Sequence, residues 1–75
     1  MAGKIASIDP GSPAQRAHLR VGERLLSING KPIEDVLDYR FYAYDPKLTL
    51  VLEEENGKQR TVKIRKAEGE DIGLN

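Results

Sequence analysis

Hydrophobic and polar residues alternate most strictly over residues 48–53, where Leu48, Leu50 and Leu52 interleave with Thr49, Val51 and Glu53. A period of two is the mark of a strand with one buried face. The alternation returns after a polar stretch, with Val62 and Ile64 on one side and Thr61, Lys63 and Arg65 on the other. Between the two runs stands Asn56-Gly57, a pair that readily takes the positive φ values of a type I′ turn. The pattern predicts a hairpin with strands at 48–55 and 58–66, in which Glu53, Glu54 and Glu55 face Lys58, Arg60 and Lys63. Exposed cross-strand charge pairs of this kind contribute at most about 0.2–1 kcal/mol each.

Upstream the period changes. Over residues 36–44, Val36, Tyr39 and Ala43 fall on one side of a helix, and Leu37, Phe41 and Tyr44 fall on another at i, i+4 and i+7. Asp35 suits the N-cap, and Asp45-Pro46 ends the element because a residue before proline avoids the α region. A helix that is apolar on two sides needs a second contact besides the core. The pattern leaves open whether that contact is a partner strand or a ligand.

The first thirty-three residues predict a strand at 4–8, then a turn through Asp9, Pro10, Gly11, Ser12 and Pro13. Ser12 can cap a helix that Pro13 begins at its first position and that runs over 13–18. So short a helix does not persist alone, so packing of Ala14, Ala17 and Leu19 must pin it. Gly22 interrupts the chain, a strand follows at 24–28, Asn29-Gly30 closes it, and a very short strand is expected at 31–33. The predicted core draws on Ile5, Ile8, Leu19, Leu25, Ile28, Ile33, Val36, Leu48, Leu50, Leu52, Val62 and Ile64.

A chain of 75 residues predicts one domain, 1–75, with a modest core. It has no cysteine, which removes disulfides, thiolate zinc sites and thiol nucleophiles together. Twelve basic and twelve acidic residues cancel, and Lys4, Arg16, Arg20 and Arg24 lie scattered without interleaved aromatics, so no nucleic-acid or acidic-membrane partner is expected. No run approaches the about 18 apolar residues of a membrane span, and residues 1–20 lack a signal-peptide core, so a cytoplasmic location is expected. His18, the single histidine, ends the first helix, where αL geometry is tolerated and a cation is favoured. Ser7, Ser12 and Ser27 have no adjacent base, and Asp35, Asp38, Glu68, Glu70 and Asp71 lack calcium-loop spacing. No catalytic residue, metal or cofactor is therefore expected in this chain.

The strand at 4–8, "PGSPA" (10–14), the short helix, "VGERLLSING" (21–30) and the following Lys31-Pro32-Ile33 together resemble the middle of a PDZ domain. The resemblance implies a mostly β, α+β fold: a partial barrel of about five short strands with two helices. It further implies recognition of an extended peptide by strand addition. The partner's terminal carboxylate would rest on backbone amides of an apolar–Gly–apolar loop, here Ile72-Gly73-Leu74. Because that loop comes last, the strand order looks circularly permuted, with the strand after the loop lying beyond Asn75. By position, Leu37, Phe41 and Tyr44 match the groove side of the specificity helix, with Val36, Tyr39 and Ala43 toward the core. Bulky Phe41 and Tyr44 would narrow that pocket, so a packing role stands beside open-groove binding.

Two further stretches, "SINGKPIEDVLDYRF" (27–41) and "EDIGL" (70–74), resemble the N-terminal PDZ-like domain of large bacterial radical-SAM-like iron–sulfur proteins. In that family the chain continues into a cysteine-rich region; none of its cysteines stands here, so its cofactor is not assigned to these residues. The resemblance implies a fragment of a larger protein, cut just after the loop. Its expected role is a module for a C-terminal or internal peptide, or a docking domain that packs on its own downstream enzyme domain. An unpaired sheet edge would also allow self-association.

Overall fold

The computed structural model describes residues 4–75; residues 1–3, to which the pattern assigns no element, lie outside the described residues. Six elements follow in order: helix α1 (Pro13–Arg16), strands β1 (Arg24–Ile28) and β2 (Lys31–Pro32), helix α2 (Val36–Tyr42), and strands β3 (Lys47–Glu53) and β4 (Gln59–Arg65). The strands form one open antiparallel sheet in the order β2-β1-β3-β4. The fold is therefore mostly β with two short helices, as the alternation and the helical stretch imply.

The alternation at 48–53 does what its period dictates. Leu48, Leu50 and Leu52 are buried, and they stand opposite Ile64, Val62 and Arg60 of β4. Between β1 and β3 the register shifts at Leu25/Ser27, which leaves Leu26 as an extra residue, a β-bulge. Its carbonyl accepts instead from the Ile33 amide at 3.0 Å, drawing Ile33 into the core.

Both helix starts are capped by side chains. Ser12 Oγ accepts the Gln15 amide at 3.2 Å, and Asp35 Oδ1 accepts the Asp38 amide at 3.0 Å. Helix α1 ends at Arg16 rather than 18 because its carbonyls are closed off by a Schellman motif. His18 donates to Gln15 C=O at 3.0 Å, Leu19 donates to Ala14 C=O at 3.1 Å, and His18 holds φ 62°. Helix α2 ends at Tyr42, two residues before the expected limit.

Four expectations are corrected. Residues 4–8 form no strand but two isolated bridges, Lys4↔Arg24 and Ile8↔Leu74, since the segment changes neighbour midway. Of the two Asn-Gly pairs, only Asn29-Gly30 has positive φ at both residues (51° and 80°), as a type I′ turn requires. At 56–57 only Gly57 is left-handed; it donates to Glu54 C=O at 2.9 Å while Glu54 donates to Lys58 C=O at 2.7 Å. That is a three-residue loop with a glycine bulge, and Asn56 contributes its side chain, accepting the Lys58 amide at 2.9 Å. The charge pairing of the hairpin also differs: Arg60 reaches across to Glu23 at 2.7 Å rather than to the glutamates of its own ribbon. Val36, expected in the core, is 56 % exposed, while Ala14, Ala43 and Ile72 are buried there in addition to the expected residues. Ile8 and Val62 are half-buried at the margin of the core.

Candidate functional site

The last residues are organised by hydrogen bonds to the first. After β4, Gly69 donates to Tyr44 C=O at 2.9 Å and Glu70 to Ala67 C=O at 2.9 Å, which turns the chain back toward its start. Residues 73–75 then run antiparallel to residues 6–9. Asp9 donates to Gly73 C=O at 2.9 Å, Asn75 to Ser7 C=O at 3.0 Å, and Ala6 to Asn75 C=O at 2.7 Å. Ile72 anchors the turn: its side chain is fully buried and its carbonyl accepts the Ala14 amide at 2.9 Å. Gly73 has φ 96°, and a β-carbon there would run into Ser12 Cβ and Oγ. No other residue fits that position without a shift of the chain.

In the Ile8↔Leu74 bridge the hydrogen bonds are made by the flanking residues, so the Leu74 N–H and C=O point away from Ile8. Leu74 borders a groove of about 210 Å³ whose floor is Ile5, Leu25 and Ile33 and whose other wall is Val36 and Tyr39 of α2. The stripe of Tyr39 and Ala43 turns α2 onto the core, and its first member, Val36, overhangs the groove. Of the three residues expected toward the core, Val36 alone is exposed. The opposite stripe, Leu37, Phe41 and Tyr44, is 70 %, 75 % and 54 % exposed and lines a separate cleft with Lys31 and Arg40. Within that cleft Lys31 Nζ lies 5.1 Å from the centre of the Tyr42 ring, at cation–π distance. The structure thus brings Leu74 together with Val36 and Tyr39, places Ile72 and Gly73 in the adjoining turn, and leaves Leu37, Phe41 and Tyr44 on another face.

Two side chains that sequence reasoning did not single out set the electrostatics of the turn. The Gly73 amide donates to Asp71 Oδ1 at 2.9 Å. An Asp two residues before a glycine amide is an Asx-turn signal, and it was legible in that form. The Tyr39 hydroxyl is buried and makes no hydrogen bond. Burial pushes its pKa up to about 12, the carboxylates of Asp71 and Asp9 add to the rise, and the nearby Leu74 amide, short of hydrogen-bond geometry, opposes it. Tyr39 is therefore a neutral donor at any physiological pH.

Behind the groove floor sits the ion pair. Glu23 is 2 % exposed; its carboxylate accepts from Arg60 Nε at 2.7 Å, Arg60 Nη2 at 2.8 Å and the Arg20 amide at 2.8 Å. The Glu23 carbonyl in turn accepts the Ile5 amide at 2.8 Å, tying the pair to the groove residue Ile5. The Arg60 hydrogen bond holds the Glu23 carboxyl below its ordinary range, against the opposing effect of burial.

Among the described residues, no three of His, Cys, Asp and Glu converge to hold a metal ion, and no helix is long and apolar enough to cross a membrane. What the groove offers is backbone polarity above an apolar floor. No curated protein matches the chain. The family described as PDZ domain matches residues 4–66, a span that contains both helices and all four strands and stops short of the turn at 72–74. A match over most of the chain, joined to a mostly β fold with two short helices, places this protein in the PDZ family.

Proposed function

We propose that this PDZ domain holds an extended peptide as an added strand beside residues 74–75, in the groove between Leu74 and the Val36–Tyr39 side of α2. PDZ domains are protein-interaction modules, not catalysts, and strand addition is the recognition mode that uses main-chain hydrogen bonds for affinity and pockets for specificity. The observation that carries the reading is the Leu74 backbone, turned away from Ile8 and toward the groove above the apolar floor of Ile5, Leu25 and Ile33. An amide-NMR titration with a pool of extended peptides tests it. Shifts should centre on Leu74, Asn75, Val36 and Tyr39. Shifts confined to Leu37, Phe41 and Tyr44, or none, refute it.

A second reading is favoured by the exposed Leu37, Phe41 and Tyr44, which form an apolar face away from the groove. In that reading the domain docks on a downstream domain of the same chain. The resemblance of residues 27–41 and 70–74 supports a bacterial radical-SAM-like iron–sulfur protein, in the cytoplasm, as the parent. A permuted strand order is supported by the turn at 72–74 following β4 and by the pairing of 73–75 with 6–9. Iron and acid-labile sulfide assays on the intact gene product test the parentage. Deletion of residues 1–75 with no change in the parent's stability or activity refutes the docking role. The open backbone at Leu74 also supports self-association of the isolated domain, whereas the sheet edge at β4 carries Arg60, Lys63 and Arg65, which oppose pairing with a second copy. A strict monomer by light scattering at millimolar concentration rules self-association out.

A further inference from the structure

Successive backbone amides around a left-handed glycine form a concavity that attracts anions. In this protein the concavity already has one. The Gly73 amide donates to Asp71 Oδ1 at 2.9 Å, so a carboxylate of the domain itself occupies the turn. The next amide, that of Leu74, faces the Tyr39 hydroxyl, which is buried and without a partner. Asp9 stands nearby, its Oδ1 accepting Asn75 Nδ2 at 2.9 Å. Two carboxylates therefore lie beside the turn, one on the Gly73 amide and one on the Asn75 side chain. The remaining charged side chains on the groove, Lys4 and Asp35, are opposite in sign and add no net attraction for an anion.

We propose that the groove discriminates against free C-terminal carboxylates and takes an internal, uncharged stretch of extended peptide, because the carboxylate of Asp71 already holds the Gly73 amide and excludes a second anion. The inference rests on the peptide-binding reading above and names the ligand class of that same groove. A like charge beside the turn penalises a ligand that brings a carboxylate. Asp71 is exposed, so water moderates the repulsion and the expected preference is about tenfold rather than absolute.

The test uses the full chain and one peptide pool prepared in matched free-acid and C-terminally amidated forms, with binding read by NMR titration. The wild type should bind the amidated form about tenfold more tightly. Asp71→Asn removes the charge but keeps an acceptor for the Gly73 amide, and Asp71→Ala removes both; each should raise free-acid affinity and narrow the ratio, Ala more than Asn. A wild-type preference for the free acid, or a ratio unmoved by both Asp71 variants, overturns the inference while leaving peptide binding intact. No binding of either form by any variant overturns both.

Discussion

Replacing Arg60 by Met tests whether the Glu23–Arg60 pair is structural or incidental. The Glu23 side chain is 3 % exposed and that of Arg60 31 %. Arg60 supplies two of the three hydrogen bonds at the carboxylate, at 2.7 and 2.8 Å, and also donates to His18 C=O at 3.0 Å. Removing one partner of a fully buried pair costs about 3–5 kcal/mol, because the other charge is left uncompensated. Water reaches Arg60, which lowers the expected loss to about 2–3 kcal/mol. A domain of this size has about 4–11 kcal/mol in all, so the loss is a large share of it. With a urea slope of roughly 1 kcal/mol per molar, the midpoint should fall by about 2–3 M. Glu23→Gln should cost less, about 1–2 kcal/mol, because the freed guanidinium can hydrate. The double variant should cost less than the sum of the two.

The pair also has a signature in pH. The folded-state pKa of Glu23 lies below its ordinary value of 4.5, so the stabilisation is present above that value and is lost as pH falls through the folded-state value. The wild-type midpoint should drop on acidification below about 4.5, and the Arg60→Met midpoint should drop much less. A loss under about 0.5 kcal/mol in Arg60→Met, with parallel acid profiles, refutes the reasoning and makes this an ordinary surface pair.

Three further variants probe the backbone and the groove. His18→Gly relieves a non-glycine residue at φ 62° and should raise stability by about 0.5–1 kcal/mol, or a Tm gain of about 4 °C; a lower Tm sinks the idea. Gly73→Ala places a β-carbon against Ser12 at φ 96° and should cost about 2 kcal/mol or more, with amide shifts spreading to residues 6–9; an unchanged midpoint contradicts it. Tyr39→Phe deletes a buried hydroxyl that has no partner and should stabilise the free domain by up to about 1 kcal/mol. An absorbance titration of the wild type should show one phenol ionising near pH 12, absent from Tyr39→Phe.

Much of the fold was legible because it is written in local patterns. Leu48, Leu50 and Leu52 specify their strand by alternation, Ser12 and Asp35 specify helix starts by the chemistry of one side chain, and Asn29-Gly30 specifies a turn. The Asn56-Gly57 pair looks the same on paper. It differs because the adjoining glutamate extends the loop by one residue, and only the register of the two strands decides that. The groove was legible only in part. Ile72-Gly73-Leu74 stood out as a motif, and its glycine is required by the approach of Ser12. Spacing divides the helix into two faces and groups Val36 with Tyr39, but it does not say how far the helix overhangs its support. Glu23 and Arg60 lie 37 residues apart, and a single-residue, long-range pairing leaves no periodic trace. Asp71 carries a local signal, an Asp two residues before a glycine amide, but that spacing specifies a turn and not the position of its carboxylate beside the groove.

The clasp between residues 6–9 and 73–75 bears on the order in which the molecule assembles. The β3–β4 hairpin closes a loop of a few residues, whereas the Asp9–Asn75 contact joins positions 66 apart. Closing so long a loop is entropically costly until the intervening chain has collapsed, so the clasp forms late and opens early. In native-state hydrogen exchange, the amides of Ala6, Asp9 and Asn75 should then exchange by a sub-global opening that leaves the β3–β4 ladder protected. Because that opening dismantles one wall of the groove, any segment that occupies the groove must slow exchange at these three amides, whatever its sequence.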